Sequence, residues 1–151
     1  MKKSILIVDD DKAILQSLKA ILQVKGYSVD TAETGREAIE KSEAHFYNLV
    51  LLDIRLPDME GTELLIQMHG QTPRMMKIMI TGRPSLESVI EALNFGADAY
   101  IQKPVKPEKV LKVVEGKLRE QEEAEGMSQE KVAKWIETRI RKLGTARHRR
   151  R

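Results

Sequence analysis

Short apolar runs alternate along this 151-residue chain with segments of helical period, and that alternation leaves few architectures open. Ser4–Val8, Asn48–Leu52, Lys77–Ile80 and Ala99–Gln102 are rich in β-branched residues or leucine and read as strands, with Ser28–Ala32 a weaker fifth. The first two are apolar almost throughout instead of alternating, which is the pattern of a strand covered on both sheet faces. Between the strands, Ile14, Leu15, Leu18, Ile21 and Leu22 form one helical stripe. Leu86, Val89, Ile90 and Leu93 form a second, and Val110, Leu111, Val114 and Leu118 a third.

The punctuation agrees with this reading. Thr34 and Glu37 have capping-box spacing, Pro107 suits a first helical position, and Gly26 and Gly96 stand just past helix ends. Strands alternating with helices predict a parallel sheet with right-handed crossovers. Five such units in the first 120 residues predict an α/β, flavodoxin-like, doubly wound domain with strand order 2-1-3-4-5 and five helices. Residues 121–151 then form an extension. Gln121–Gly126 is acidic and poor in apolar residues, and Gly126 should end the fifth helix. Ser128 can cap a further short helix carrying Val132, Trp135, Ile136, Ile140 and Leu143 on one side, with Gly144 closing it and Thr145–Arg151 disordered.

Charge divides along the same boundary. Residues 1–120 hold 17 basic and 18 acidic side chains, whereas residues 121–151 hold 9 and 5, so the basicity lies in the tail. No apolar run exceeds four residues, which predicts neither a membrane span nor a signal-peptide core and therefore a cytoplasmic chain without a membrane partner. The absence of cysteine removes disulfides, thiolate zinc sites and a cysteine nucleophile together.

In an open parallel sheet, ligands bind beyond the carboxyl ends of the strands. The first strand ends in Asp9, Asp10 and Asp11, the third in Asp53, the fourth in Thr81, and the fifth in Lys103 before Pro104. Asp9, Asp10 and Asp53 would then share a pocket, where two carboxylates about 4 Å apart repel by roughly 4 kcal/mol at an effective dielectric near 20. A hard divalent cation such as Mg²⁺ relieves that conflict, and Lys103 adds a second positive group. Such a site suits an incoming anionic group. Asp53, projecting alone beside the acids of the first strand, is the natural carboxylate to take a phosphoryl group as an acyl phosphate, with Thr81 able to donate a hydrogen bond to it. Asp11 reads as a helix cap. His45, His69 and His148 are scattered and read as surface residues, and Met75, Met76 and Met79 as core filler.

Val8-Asp9-Asp10, then Leu51-Leu52-Asp53-Ile54-Arg55-Leu56-Pro57, then Ile80-Thr81-Gly82, then Tyr100-Ile101-Gln102-Lys103-Pro104 resemble, in order and spacing, the receiver domain of two-component response regulators over about residues 3–120. The resemblance implies that Asp53 is phosphorylated from a phosphohistidine on a sensor histidine kinase or phosphotransfer protein. It further implies that Asp10, Asp53 and the backbone carbonyl of Arg55 hold Mg²⁺ with Asp9 acting through water. By the same resemblance Lys103 belongs to the catalytic set, Thr81 and Tyr100 form a switch pair, and the Lys103–Pro104 bond is cis. Arg55 and Arg83 occupy variable positions near the phosphoryl group, and Val105 stands where an aromatic is frequent.

The function expected is a stand-alone, phosphorylation-dependent regulator in two-component or phosphorelay signal transduction, with a downstream protein target and no turnover enzyme activity beyond self-phosphorylation and slow autodephosphorylation. Its tail helix could pack on the receiver, pair with a second copy or dock on a partner. The alternative is a nucleic-acid-associated regulator acting through the basic tail, although no reading helix for specific DNA recognition is visible. An aspartyl-phosphate phosphatase is disfavoured because Arg55, not an acid, stands two residues after Asp53. A nucleotide- or flavin-binding domain is disfavoured because the first βα turn lacks glycines.

Overall fold

Residues 2–71, 74–82, 85–126 and 132–149 are described by a computed structural model of the chain. The elements run β1 (Ser4–Val8), α1 (Lys12–Val24), β2 (Ser28–Ala32), α2 (Gly35–Ala44), β3 (Leu49–Asp53), α3 (Gly61–Gln71), β4 (Met76–Thr81), α4 (Leu86–Asn94), β5 (Ala99–Gln102), α5 (Pro107–Gly126) and α6 (Val132–Arg149). The five strands are parallel in the order β2-β1-β3-β4-β5. This is the flavodoxin-like sheet that the alternation predicts. Two compact units result, Met1–Leu118 and Arg119–Arg151; α5 begins in the first and ends in the second.

Alternate residues of each central strand feed opposite cores. On one face Ile5, Ile7, Leu49, Leu51, Ile78 and Ile80 pack with Leu15, Leu18 and Leu22 of α1 and with Val110, Val114 and Leu118 of α5. On the other, Leu6, Val8, Val50, Leu52 and Met79 pack with Ala38 of α2, Leu64, Leu65 and Met68 of α3, and Ala92 of α4. All five residues of β3 are buried, so an alternating polar face is impossible there. Each such leucine or isoleucine stabilises the fold by about 2 kcal/mol relative to exposure.

Local signals place the helix ends. Asp11 caps α1 by accepting from the amides of Ala13 and Ile14. Thr34 caps α2 by accepting from Glu37 N at 3.0 Å, while the Glu37 carboxylate takes the amide of Glu33 at 3.1 Å, one residue short of a full box. Gly26 and Gly96 carry φ of 94° and 104°, the left-handed conformation in which a side chain would be strained. Asp58, in the loop after β3, accepts from Gly35 N at 2.8 Å and Arg36 N at 2.9 Å and so ties that loop to the start of α2.

The α4 stripe does not become a core face. Val89 is half-buried, but Leu86, Ile90 and Leu93 are exposed, because α4 meets the sheet through small Ala92. In the second unit, Gly144 does not close the tail helix: α6 continues to Arg149, so Thr145–Arg149 belongs to the helix. Gly144 is absent from the left-handed conformation that terminates a helix, which among the described residues is confined to Gly26 and Gly96. In a right-handed helix interior glycine costs only about 1 kcal/mol. Ile136 and Ile140 of the tail stripe are exposed. Ser128, Arg150 and Arg151, and the side chains of Val132, Trp135 and Leu143, lie outside the described residues. No helix among the described residues is long and apolar enough to cross a membrane.

A lysine is buried within the sheet. Lys77 of β4 is 0% exposed and its Nζ donates to Met75 O at 2.7 Å. Burial pulls the ammonium below the ordinary lysine value of 10.5, and Asp98 only partly opposes this. The unfolded chain therefore binds this proton more tightly than the fold does, so protonation at neutral pH destabilises the native state. Lys77→Met is expected to stabilise the protein by about 1 kcal/mol at pH 7. The pH-dependent part of the difference should shrink as pH rises from the lowered folded value and vanish above about 10.5, where lysine is neutral in both states; what remains there is the contrast between a neutral amine bonded to Met75 O and a thioether. Urea unfolding of both chains at pH 7 and pH 10 measures it, with other titrations cancelling in the difference. A gap that widens with pH would show that charge burial is not its cause.

Candidate functional site

Parallel strands end on one edge of the sheet, and that edge gathers the polar residues. β1 and β3 are neighbours with Val8 opposite Leu52, so Asp9 emerges beside Asp53. β4 and β5 pair Thr81 with Gln102, and the next amide, Lys103 N, donates to Thr81 O at 2.6 Å. This backbone bond sets where the Lys103 side chain starts.

Its ammonium lies between the two acids, 3.2 Å from Asp53 Oδ2 and 3.3 Å from Asp9 Oδ2. The other oxygen of Asp53 accepts from Arg55 N at 3.4 Å, and that of Asp9 from Asp11 N at 2.9 Å. Asp9 is 2% exposed, and burial raises its carboxyl above the usual range; Asp53 adds to the rise against the Asp11 amide and Lys103. Burial acts to lower the Lys103 ammonium, but Asp9 and then Asp53 outweigh it and hold it above the ordinary lysine value.

Asp9, Asp10 and Asp53 each present a carboxylate oxygen, and the three lie within 4.8 Å of one another. Asp10 is exposed whereas its two companions are buried, so the cluster opens to water on one side. An all-oxygen donor set with an open, hydrated flank fits Mg²⁺, which keeps several waters when bound. A cleft of about 800 Å³ adjoins the cluster, lined by Asp53, Arg55, Glu60, Thr81, Ser85, Ser88 and Lys103 among others. The loop after β3 contributes Ile54, Arg55 and Glu60 to its lining and is closed by a bridge between Arg55 and Glu60 and by Gly61 N donating to Ile54 O at 2.5 Å.

The structure thus brings together Asp9, Asp10, Asp53, Thr81 and Lys103, which the sequence singles out one strand end at a time. Asp11 keeps to the cap. Lys103–Pro104 is cis, and Val105 packs against the core beneath α1 and α5. Tyr100 is half-buried with its hydroxyl 3.4 Å from Ser88 Oγ. Arg83 and the side chains of His69 and His148 lie outside the described residues; His45 is exposed. Sequence reasoning misses Glu60, Ser85 and Ser88. The two serines, three apart before an apolar stripe, carry a helix-start signal that marks their place but not the cleft that they face.

The response regulator receiver domain family matches residues 5–115. A CheY-like response regulator receiver domain protein from Methanospirillum hungatei JF-1 superposes with a TM-score of 0.80 at 55% identity, over 82% of this chain and 99% of that one. The alkaline phosphatase synthesis transcriptional regulatory protein PhoP of Bacillus subtilis is 36% identical over 131 residues, 87% of this chain and 55% of PhoP. The cell cycle response regulator CtrA of Brucella ovis is 32% identical over 107 residues, 71% of this chain and 46% of CtrA. The chain spans about half the length of these curated relatives. With the ordered motifs at one sheet edge and this fold beneath them, the chain belongs to the response regulator receiver family of two-component signalling.

Proposed function

We propose that Asp53 is the phosphoacceptor and that its phosphorylation, from a phosphohistidine on a sensor kinase or phosphotransfer protein, switches a protein-binding surface. The observation that carries this reading is the Lys103 ammonium held between Asp9 and Asp53 at the open end of the acidic cluster. A carboxylate oxygen of Asp53 attacks phosphorus in line; the P–N bond of the donor breaks and its electron pair leaves with the imidazole. Lys103 stands where charge grows on the equatorial oxygens, and Thr81 at the cleft wall can donate its hydroxyl to the new group. Asp10, Asp53 and the Arg55 carbonyl would hold Mg²⁺, with Asp9 acting through water. When bound, the cation neutralises the phosphoryl oxygens.

The acid that a phosphatase of the aspartyl-phosphate type needs two residues after its nucleophile is replaced by Arg55, which supports a receiver over a turnover enzyme. A second reading, association with nucleic acid through the tail, is supported by the exposed Lys134, Arg139, Arg141 and Lys142 of α6.

The test is incubation with acetyl phosphate with and without Mg²⁺, followed by a phosphate-retarding gel and localisation of the label. One Mg²⁺-dependent, hydroxylamine-labile phosphate on Asp53 is expected. A stable phosphate on a hydroxyl residue, or an acyl phosphate elsewhere in the chain, would refute the assignment.

A further inference from the structure

The first turn of α4 is held by two serines that bond each other reciprocally. Ser85 is the N-cap, its Oγ accepting from Ser88 N at 3.1 Å while Ser88 Oγ accepts from Ser85 N at 3.1 Å. The Ser88 hydroxyl also donates to Ser85 O at 3.0 Å. A serine hydroxyl has one hydrogen and two lone pairs. With the hydrogen given to Ser85 O and one lone pair to Ser85 N, a single lone pair is left, and the Tyr100 hydroxyl lies 3.4 Å from it. Either hydroxyl could donate in that pair; with the Ser88 hydrogen on Ser85 O, Tyr100 is the donor and Ser88 Oγ is saturated.

This contact spans two elements that share no backbone bond. Tyr100 sits on β5 opposite Met79, half-buried against the core on the α4 side of the sheet. Ser85 stands four residues after Thr81, and both serines line the same cleft as Asp53 and Thr81.

We propose that Ser88 is a positioning residue of the switch: its hydroxyl joins Tyr100 to the capping bonds of α4, so that the place of the tyrosine ring and the integrity of the helix start form one equilibrium. The coupling itself is a property of the unphosphorylated fold; its service as a switch rests on the phosphoacceptor reading of Asp53. Tyr100 moving inward gives up Ser88, and a loosened first turn gives up Tyr100. Either change reshapes the exposed face of α4 that carries Leu86, Ile90 and Leu93.

The experiment is amide hydrogen exchange by NMR on the full, unphosphorylated chain. It reads Ser88 N–H, bonded to Ser85 Oγ, and Val89 N–H, bonded to Ser85 O at 3.0 Å. Tyr100→Phe, which keeps the ring, is expected to lower protection of both amides about fivefold, the effect of one lost hydrogen bond. Amides of α1 should not change. In Ser88→Ala the tyrosine substitution should add nothing, and Ser88→Thr should restore its effect. Protection unchanged by Tyr100→Phe, or a Tyr100→Phe effect equally large in the Ser88→Ala background, would overturn the coupling. In a second arm, titration with beryllofluoride and Mg²⁺ should show apparent affinity moved in the same direction by Ser88→Ala and Tyr100→Phe, without multiplication in the double variant. Exchange needs no phosphoryl chemistry, so the two failures separate. A wild-type chain that binds no beryllofluoride would remove the phosphoacceptor reading and the switching role with it, even where exchange shows the coupling.

Discussion

Replacing Lys103 by alanine is expected to slow phosphoryl uptake from acetyl phosphate by roughly a hundredfold to a thousandfold, the range for removing one preorganised donor aimed at developing charge. The ammonium lies 3.2 Å from Asp53 and 3.3 Å from Asp9, and its backbone is pinned to Thr81 O. It thus needs no reorganisation when charge moves onto the phosphoryl oxygens. Methionine in its place would keep the stem and lose the same rate, which separates charge from packing. The variant also leaves Asp9 and Asp53 side by side without their shared counter-charge. Added Mg²⁺ should therefore raise the melting temperature of Lys103→Ala more than that of the wild type. Single-turnover rates and thermal melts measure the two effects; an uptake rate within tenfold of wild type would refute the role given to the ammonium.

Gly61→Ala should be more damaging than alanine at Gly35 or Gly116. A Cβ there would lie 2.3 Å from Asp53 O, 2.7 Å from Ile54 Cα and 2.9 Å from Ile54 O. All three atoms are backbone, and the first belongs to Asp53, the proposed phosphoacceptor, so no side chain can swing aside. The loop must open, and the bond from Gly61 N to Ile54 O must stretch with it. The expected loss is about 3 kcal/mol, or roughly 10 °C in melting temperature for a unit of this size. Two glycines serve as contrasts. At Gly35 the Cβ would meet only the flexible side chain of Met59, so the cost should be smaller. At Gly116, inside α5, it would meet nothing within 4 Å, and alanine should stabilise slightly. A Gly61→Ala chain that melts with the wild type would contradict the packing of this loop.

The strands, their parallel order and the polar residues at their ends were legible before any coordinates, because each is written in local pattern. Continuous apolar runs mean burial on both faces, and a parallel sheet brings the carboxyl ends of such runs to one edge whatever the loops do. Asp9, Asp10, Asp53, Thr81 and Lys103 follow from that rule, as do the Thr34 and Asp11 caps and the left-handed glycines at 26 and 96. A helix terminator was less certain from pattern alone. Gly144 resembles Gly26 in sequence, but only the backbone conformation separates a glycine that stops a helix from one that continues it.

What needed the tertiary structure are relations between residues distant along the chain. Lys77 reads as the polar start of a strand, yet neighbours contributed from elsewhere enclose it completely. Asp58 carries no cap signal toward α2 in its local sequence, yet it accepts from the start of α2 from 22 residues away; burial acts to raise its carboxyl, but the amides of Arg36 and Gly35 together outweigh it and hold it below the usual range. Ser88 reads as one half of a cap, and its meeting with Tyr100 depends on β5 lying beside β4. Periodicity reports which way a side chain faces within its own element. Which side chain it meets there is decided by packing between elements, and no local pattern carries that information.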